Sequence, residues 1–482
     1  MALMSMGRAI GWLAERESER PAITCEGRTV TRRQLERRTN QLARAYAGMG
    51  VGQDDFVTIA LPNSIEFYEA TIAAWKLGAV PQPVSARLPE AERIAIIDLV
   101  RPALVVGAPG GATGAPSIEA GFQPDAALDD GPLPDRTAPA WKAPTSGGST
   151  GRPKIIVAGQ PAIVDPEISA TPGMKINGCQ LVPGPLYHNG PFTFSMGGLL
   201  RGSHLVVMVR FDAATALELI ARHGVDWTLL VPTMMQRIWR LPPEERDAYD
   251  LSSLEAVLHL AAPCPEWLKE AWIDWLGPDK VHELYAGTEA QGVTWITGAE
   301  WLEHRGSVGR PVGSQMRILD ANGEDAPAGE VGEVFMRPDT GPGSTYHYLG
   351  AEPRSVGDGW ESLGDMGWLD ADGFLYLADR RTDLILAGGA NIYPAEVEAA
   401  IDAHPEVRSC AVIGLPDEDL GQRVHAIVQV AAGSALTEDG LRSHLAGLLV
   451  RYKIPRTFEF VDQPLRDDAG KLRRFVLRQA RL

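Results

Sequence analysis

The sequence predicts an α/β protein: a large N-terminal domain of helix-covered, largely parallel sheets, followed by a small α+β domain. Three observations lead there. With 482 residues and 45% hydrophobic content, the chain is longer than the roughly 250 to 300 residues at which a single core stops growing. Strand-like and helix-like segments alternate through the first part of the chain, which is the pattern of β-α-β units and parallel sheets. After LADRRTD the alternation starts afresh and is complete in itself, which gives domains at 1–380 and 383–482.

Each element has a local reason. From Thr31, TRRQLERRTNQLARAYAGMG opens with a capping-box pair, Thr31 and Gln34, spaces Leu35, Leu42 and Ala45 on one helical face, and runs into Gly48 and Gly50. FVTIAL then reads as a strand, PNSIEFYEATIAAWKLG as a helix and AVPQPV as a strand. The unit recurs in SHLVVMV, an Asp212-capped helix ending at Gly224, and DWTLLV. Ala108 to Lys142 is rich in Gly, Pro, Ala and Asp without a period and reads mostly as loop. In the C-terminal part a helix starts at Pro394, CAVIGL and HAIVQV are strands, and Thr437 caps a second helix.

A formal charge of -17 excludes a general attraction to nucleic acid or to an anionic membrane surface. Cys25, Cys179, Cys264 and Cys410 lie far apart with no CxxC pair, so they read as reduced packing residues rather than a zinc site or disulfide frame. No stretch reaches the roughly 18 apolar residues of a membrane span, and MALMSMGRAIGWLAERESER lacks signal-peptide character. A cytoplasmic location is expected.

The chemistry-bearing segment is TSGGSTGRPK. Thr145, Ser146, Gly147, Gly148, Ser149, Thr150, Gly151 and Lys154 crowd three glycines, four hydroxyls and an ammonium into ten residues. Such a run presents backbone N–H groups and hydroxyls to a polyphosphate, with Lys154 as a point charge. It is not the ordinary P-loop, because GxxxxGK[ST] cannot be laid on it. Further motifs follow in order: PLYHNGPFTFSMGGLL, HLAAPCP, YAGTE, SLGDMGWLDADGF, DRRTDLILAGGANIYPAEVE, RYKIP and DDAGKLRR.

Taken together and in this order, these motifs resemble the adenylate-forming superfamily of acyl-CoA synthetases, peptide-synthetase adenylation domains and beetle luciferases. Within it, SGGSTGRPK, PLYHNGP and HLAAPCP look most like bacterial acid-CoA ligases of the bile-acid and steroid-acid type. The resemblance spans nearly the whole chain and adds a smaller β-barrel-like part to the N-terminal domain. It implies that Tyr285 stacks on adenine, with Ala286 and Gly287 beside it, that Thr288 meets the α-phosphate and that Glu289 holds Mg²⁺. Backbone groups of Ala261, Ala262 and Pro263 would read the adenine edge, although relatives more often have a glycine-rich GGAP there. Asp365 and Arg380 would hold the ribose, and Lys471 would bridge the reacting carboxylate and the α-phosphate.

The same resemblance puts His188 at the carboxylate end of an acyl pocket lined by Phe192, Phe194, Met196 and Gly197. It gives Gly388 and Gly389 to the thioester step after a hinge near Arg381 and Thr382. Arg451 and Lys453, with Arg473 and Arg474, are the nearest basic groups for the phosphates of CoA. The implied reaction joins a carboxylic acid to AMP from Mg-ATP and passes the acyl group to CoA. An amine or a carrier-protein thiol remains open as the acceptor. The expected partners are thus a small acid, ATP and CoA or an amine. Neither nucleic acid nor a membrane span is expected, and the sequence leaves room for a homodimer.

Overall fold

The computed structural model describes residues 3–109, 114–147, 153–169, 171–380, 383–387, 390–431, 433–467 and 470–482; for 146, 147 and 380 it describes the backbone alone. Among the described residues the largest sheet has 15 strands. Its parallel part runs, neighbour to neighbour, through Pro21–Cys25, His204–Val207, Cys179–Val182, Trp227–Leu230, Ala256–His259 and Val281–Ala286. These strands are short apolar runs because both faces are covered, and Trp227, Val257 and Leu258 are fully buried.

Beyond Val281–Ala286 the sheet turns antiparallel through Val293–Thr297, Ser307–Pro311, Leu375–Arg380, Asp365–Leu369 and Gly332–Pro338. This antiparallel run stands where the smaller barrel-like part of the N-terminal domain was expected, hydrogen-bonded to the parallel strands in one sheet. A second, parallel sheet contains Val80–Pro83, Phe56–Ile59, Leu104–Val106 and Ser117–Ile118. A small antiparallel one joins Tyr346–Leu349, Pro153–Ala158 and Thr145–Gly147.

The helix signals act as their chemistry dictates. Thr31 and Gln34 form a reciprocal capping box on helix Arg32–Gly48. Asp212 accepts the Thr215 N–H at the start of Ala213–His223, which ends on Gly224 in the left-handed region, φ 61°. Apart from Ser117–Ile118, the described part of the 108–142 stretch has no regular element. It is fastened to the first of these helices by Arg44 Nη1 donating to Gly131 O at 2.8 Å, Asn40 Nδ2 to Asp130 O at 2.8 Å and Gln41 Nε2 to Leu128 O at 3.1 Å.

The C-terminal part has its own sheet of Ala390–Ile392, Ile385–Ala387, Gly421–Val430, Val407–Asp417 and Thr457–Val461, covered by helices Pro394–Asp402 and Glu438–Ala446. Its apolar cluster includes Ile385, Ile401, Val412, Ala426 and Leu441. No described helix is long and apolar enough to cross a membrane.

Buried Asn63 joins the two large sheets. Its Nδ2 donates to Gly184 O at 2.8 Å and Met208 O at 2.9 Å, and its Oδ1 accepts the Leu186 N–H at 2.8 Å. Three main-chain groups that follow strands Cys179–Val182 and His204–Val207 are thereby satisfied by one side chain. An unsatisfied buried group costs about 1–3 kcal/mol. Asn63→Ala should therefore lower the unfolding free energy by about 3 kcal/mol or more, read from urea denaturation; a loss below about 1 kcal/mol would mean that other groups satisfy these atoms.

Candidate active site

The segments after the parallel strands converge on one edge. Behind Cys179–Val182 come His188 and helix Asn189–Leu199; behind Trp227–Leu230 comes Thr233; behind Ala256–His259 come Ala261, Ala262 and Pro263; and Val281–Ala286 itself carries Tyr285 and leads into Gly287, Thr288 and Glu289. Open α/β sheets bind ligands at this carboxyl edge.

On the nucleotide side, Tyr285 OH donates to Asp365 Oδ2 at 2.6 Å, and Asp365 is buried. The backbone register pairs Asp365 with Arg380 across two antiparallel strands, so both ribose candidates sit at one height of the sheet. YAGTE packs closely on the SLGD turn: a Cβ at Gly287 would stand 2.4 Å from Leu363 Cδ1. Ala261 is in the left-handed region at φ 78°, and both it and Pro263 are exposed to the cleft. The left-handed backbone explains the glycine more common at this place, since a Cβ costs about 1–2 kcal/mol in that conformation. Behind it His259 is fully buried, and burial pulls its imidazole down to about 4.

On the phosphate side, Lys154 Nζ donates to Glu289 Oε1 at 3.0 Å and to Tyr348 OH at 2.9 Å, and Tyr348 OH donates to the same carboxylate oxygen at 2.6 Å. The ammonium also lies 4.2 Å from the Tyr348 ring centre. Burial and the adjacent Glu289 charge raise the Tyr348 phenol, which keeps it a donor. Thr145 is held by Gln82 Nε2 at 2.9 Å, and Gln82 Oε1 accepts Thr58 Oγ1–H at 2.7 Å. Gly148, Ser149, Thr150 and Gly151 lie outside the described residues, as do the side chain of Ser146 and that of Arg380. Glu289 fits a magnesium ion by its donor chemistry: it is a buried carboxylate whose Oε2 has no hydrogen bond among the described residues, and hard oxygen ligands beside phosphates suit that cation.

On the acyl side, His188 is the N-cap of helix Asn189–Leu199 but makes no side-chain cap bond. Its Nε2 is buried with no partner among the described residues. Burial, helped by the charges of Lys471 and Arg473, pulls the ring down to about 3, so it is neutral. Of the proposed pocket residues, Phe192 and Met196 are fully buried, and the Phe192 ring packs on Phe67, Trp75 and Trp141 in the main core. Phe194 instead meets Trp227 at 5.5 Å, in a cluster with Leu260 and Leu284. Gly197 faces open space but for Arg201 Nη1 at 3.8 Å from its would-be Cβ.

The C-terminal part brings Lys471 to this edge. Its loop closes with Asp467 Oδ1 accepting the Lys471 N–H at 2.9 Å and Asp467 N–H donating to Lys471 O at 3.0 Å. The neighbouring Gly470, at φ 74°, lies so close to Thr233 that a Cβ would come within 2.8 Å of its Oγ1. Arg473 faces Glu92 at 3.8 Å, and Arg240 donates to Val407 O at 2.5 Å. For a CoA phosphate, Arg451 is exposed, whereas Lys453 is held by both oxygens of Glu396 at 2.6 Å. Arg474 is not a rim charge: it is taken up by Glu398 at 2.7 Å and Asp383 at 2.8 Å. Gly388, Gly389 and the hinge residues Arg381 and Thr382 lie outside the described residues.

Two site neighbours carry no motif. Tyr348 reaches Glu289 only because Tyr346–Leu349 pairs with the strand that carries Lys154. Lys142 is buried, donating to Asn189 Oδ1 and, at 2.6 Å, to Thr193 Oγ1. The lysine between Trp141 and Ala143, just before the Gly/Ser run, was its only signal.

The carboxyl edge thus brings together the buried carboxylate of Asp365, the Lys154–Glu289 pair and, from the C-terminal part, the loop of Lys471, the arrangement expected of an adenylate-forming ligase. The chain belongs to the AMP-binding enzyme family: the model of that family matches residues 11–349, and that of the AMP-binding enzyme C-terminal domain matches 396–471. A feruloyl-CoA synthase of Amycolatopsis sp is 32% identical, over 94% of this chain and 94% of that one. The structure of the o-succinylbenzoate coenzyme A synthetase of Bacillus subtilis in complex with ATP and magnesium ion is similar at TM-score 0.82 and 25% identity, covering 98% of this chain and 99% of the other. The amide bond synthetase McbA of Marinactinospora thermotolerans is similar at TM-score 0.80 and 25% identity, with 98% and 99% covered.

Lys142 makes a testable electrostatic statement. Burial alone brings its ammonium from 10.5 down to about 7. Between these values the unfolded chain binds the proton and the folded one does not, so this group's contribution to stability rises with pH across that window and is lost as pH falls through 7. Relative to Lys142→Met, the parent should gain up to about 1.4 kcal/mol per pH unit between pH 7 and 9 in urea denaturation. A difference that stays constant would mean an amine of ordinary basicity.

Proposed function

We propose that the chain is an ATP-dependent carboxylic acid–CoA ligase of the cytoplasm, working as an N-terminal unit 1–380 and a mobile C-terminal unit 383–482. The observation that carries this reading is the docking of the Lys471 loop on Thr233, with its charge reaching His188. In this reading Lys471 is the cation between the acid and the nucleotide, with Arg473 adding its charge at His188. Both reactants are anions there, and a fixed ammonium between them removes the repulsion that opposes attack.

The acid's carboxylate, already ionised, attacks the α-phosphorus of ATP; the bond to the β-phosphate oxygen breaks and pyrophosphate leaves with its electron pair, giving an acyl-adenylate. Catalysis is thus positioning and charge neutralisation. Asp365, oriented by Tyr285, accepts from the ribose, and Lys154 turns from Glu289 to the phosphates. Glu289 would hold Mg²⁺, which supplies charge neutralisation to the phosphates. Neutral His188 suits positioning of the acid rather than proton transfer. In the second step the C-terminal unit withdraws Lys471 and brings Gly388 and Gly389 to the adenylate, whose carbonyl carbon is attacked by the CoA thiol with AMP as leaving group. The feruloyl-CoA synthase relative supports CoA as acceptor and a ring-bearing acid as substrate.

The deciding experiment measures pyrophosphate release across fatty, aromatic, ring-bearing and dicarboxylic acids, with products identified by mass spectrometry after adding CoA, amines or neither. Acyl-CoA with CoA present is the expected result, and amides without thioester would replace the acceptor. Lys471→Ala should slow acyl-adenylate formation by about 10² to 10³ while sparing thioester formation from supplied acyl-AMP; equal losses in both half-reactions would remove its role. Asp365→Ala should raise the KM for ATP by about tenfold or more, as loss of a charged hydrogen bond implies, and unchanged ATP kinetics would remove the ribose assignment.

A further inference from the structure

The segment that runs into the phosphate loop is part of a rigid ladder. Ala143 N–H donates to Pro81 O, Ala158 N–H to Lys142 O and Ile156 N–H to Pro144 O, each at 3.0 Å, before Thr145 meets Gln82. Lys142 makes polar side-chain contacts to the pocket helix, beside the ring contact of Trp141 with Phe192. Its ammonium engages Asn189 and Thr193, one turn apart on the same face, and Thr193 Oγ1 donates back to Asn189 Oδ1 at 3.3 Å. It also lies 4.0 Å from the ring centre of Trp141, whose carbonyl accepts Trp75 Nε1–H at 2.9 Å.

This arrangement is a poor device for stability alone. A buried ammonium with only neutral acceptors keeps much of its desolvation cost, and well-packed apolar side chains of similar volume stabilise a core at least as well. A cation beside the first turn of a helix also opposes the helix dipole. What the contact achieves is geometric. Helix Asn189–Leu199 begins with no side-chain cap, Asn189 is its first residue, and His188 is joined directly to it. The lysine therefore sets where the acid end of the pocket stands relative to the phosphate end.

We infer that Lys142 is a positioning residue for acid activation: its buried amino group fastens the first turn of the pocket helix, and through it His188, to the segment entering the phosphate loop. The depressed basicity of Lys142 agrees with a charge held without a counter-ion. The inference rests on His188 being the acid-side group of the proposed ligase.

The test uses the full chain carrying ¹³C-labelled histidine, with the His188 signal assigned by its loss in His188→Gln. Lys142→Met should move the His188 resonance and leave that of His444, remote in the C-terminal part, in place. The dissociation constant for Mg-ATP should stay within about twofold of the parent, because the ladder of main-chain bonds survives, while the KM for the acid that releases most pyrophosphate should rise about tenfold or more, as small misplacements do. Thr193→Val removes one acceptor at constant volume and should move the same resonance less; it decides the matter if Lys142→Met does not fold. An unmoved His188 signal, or equal shifts at His188 and His444, would overturn the inference. If no acid releases pyrophosphate from the parent, the ligase reading fails, and the histidine signals still decide whether Lys142 holds His188.

Discussion

A parallel sheet has one carboxyl edge, and in this protein that edge fixes the order in which the chain delivers its chemistry. Each crossover returns the chain to the same side, so His188, Thr233, Ala261 to Pro263 and Tyr285 to Glu289, spread over a hundred residues of sequence, are brought to one edge. The antiparallel continuation of the same sheet then adds Asp365 at the height of Tyr285. Asn63 keeps the second parallel sheet in step with the first through three main-chain groups, two of them in the segment leading to His188. The positions of the site are thus set by sheet geometry, and individual side chains tune them.

Much of this was legible in the sequence, because the decisive signals are local. The Thr31–Gln34 capping box, the Asp212 cap with Gly224, and the short apolar runs each fix an element through bonds within a few residues. The order of motifs that carries the family resemblance is local in the same sense, since YAGTE holds a Tyr, a small turn and a carboxylate within five positions. What stayed hidden depends on register between distant strands. Tyr348 reaches Glu289 across a strand pair separated by nearly two hundred residues, and no spacing in the sequence announces it. Lys142 hid differently, since a lysine in a polar stretch reads as solvated, and only the packing of Trp141 and Phe192 removes it from water. Phe192 shows the opposite case: an aromatic in a pocket motif whose ring is occupied by the core.

The charges of the site differ in how they are held. His188 and Lys142 are drawn toward neutrality by burial, whereas Lys154 and Glu289 face one another as an ion pair at 3.0 Å. Arg474 belongs to a third group, committed to Glu398 and Asp383 inside the C-terminal part. An arginine and a lysine three residues apart in one basic run therefore stand in different surroundings, Arg474 within ion pairs and Lys471 exposed.

The Lys154–Glu289 pair has a thermodynamic consequence of its own. Each group is the other's counter-ion, so a phosphate that took Lys154 would leave a buried carboxylate bare, and a cation that took Glu289 would leave a bare ammonium. Either ligand alone is opposed by the charge it strands. The two together exchange one neutral pair for two, so each raises the affinity of the other by the same factor, as linkage requires. A site that carries its own salt bridge would thereby discriminate between a polyphosphate arriving with its metal and one arriving without it, before any bond is made or broken.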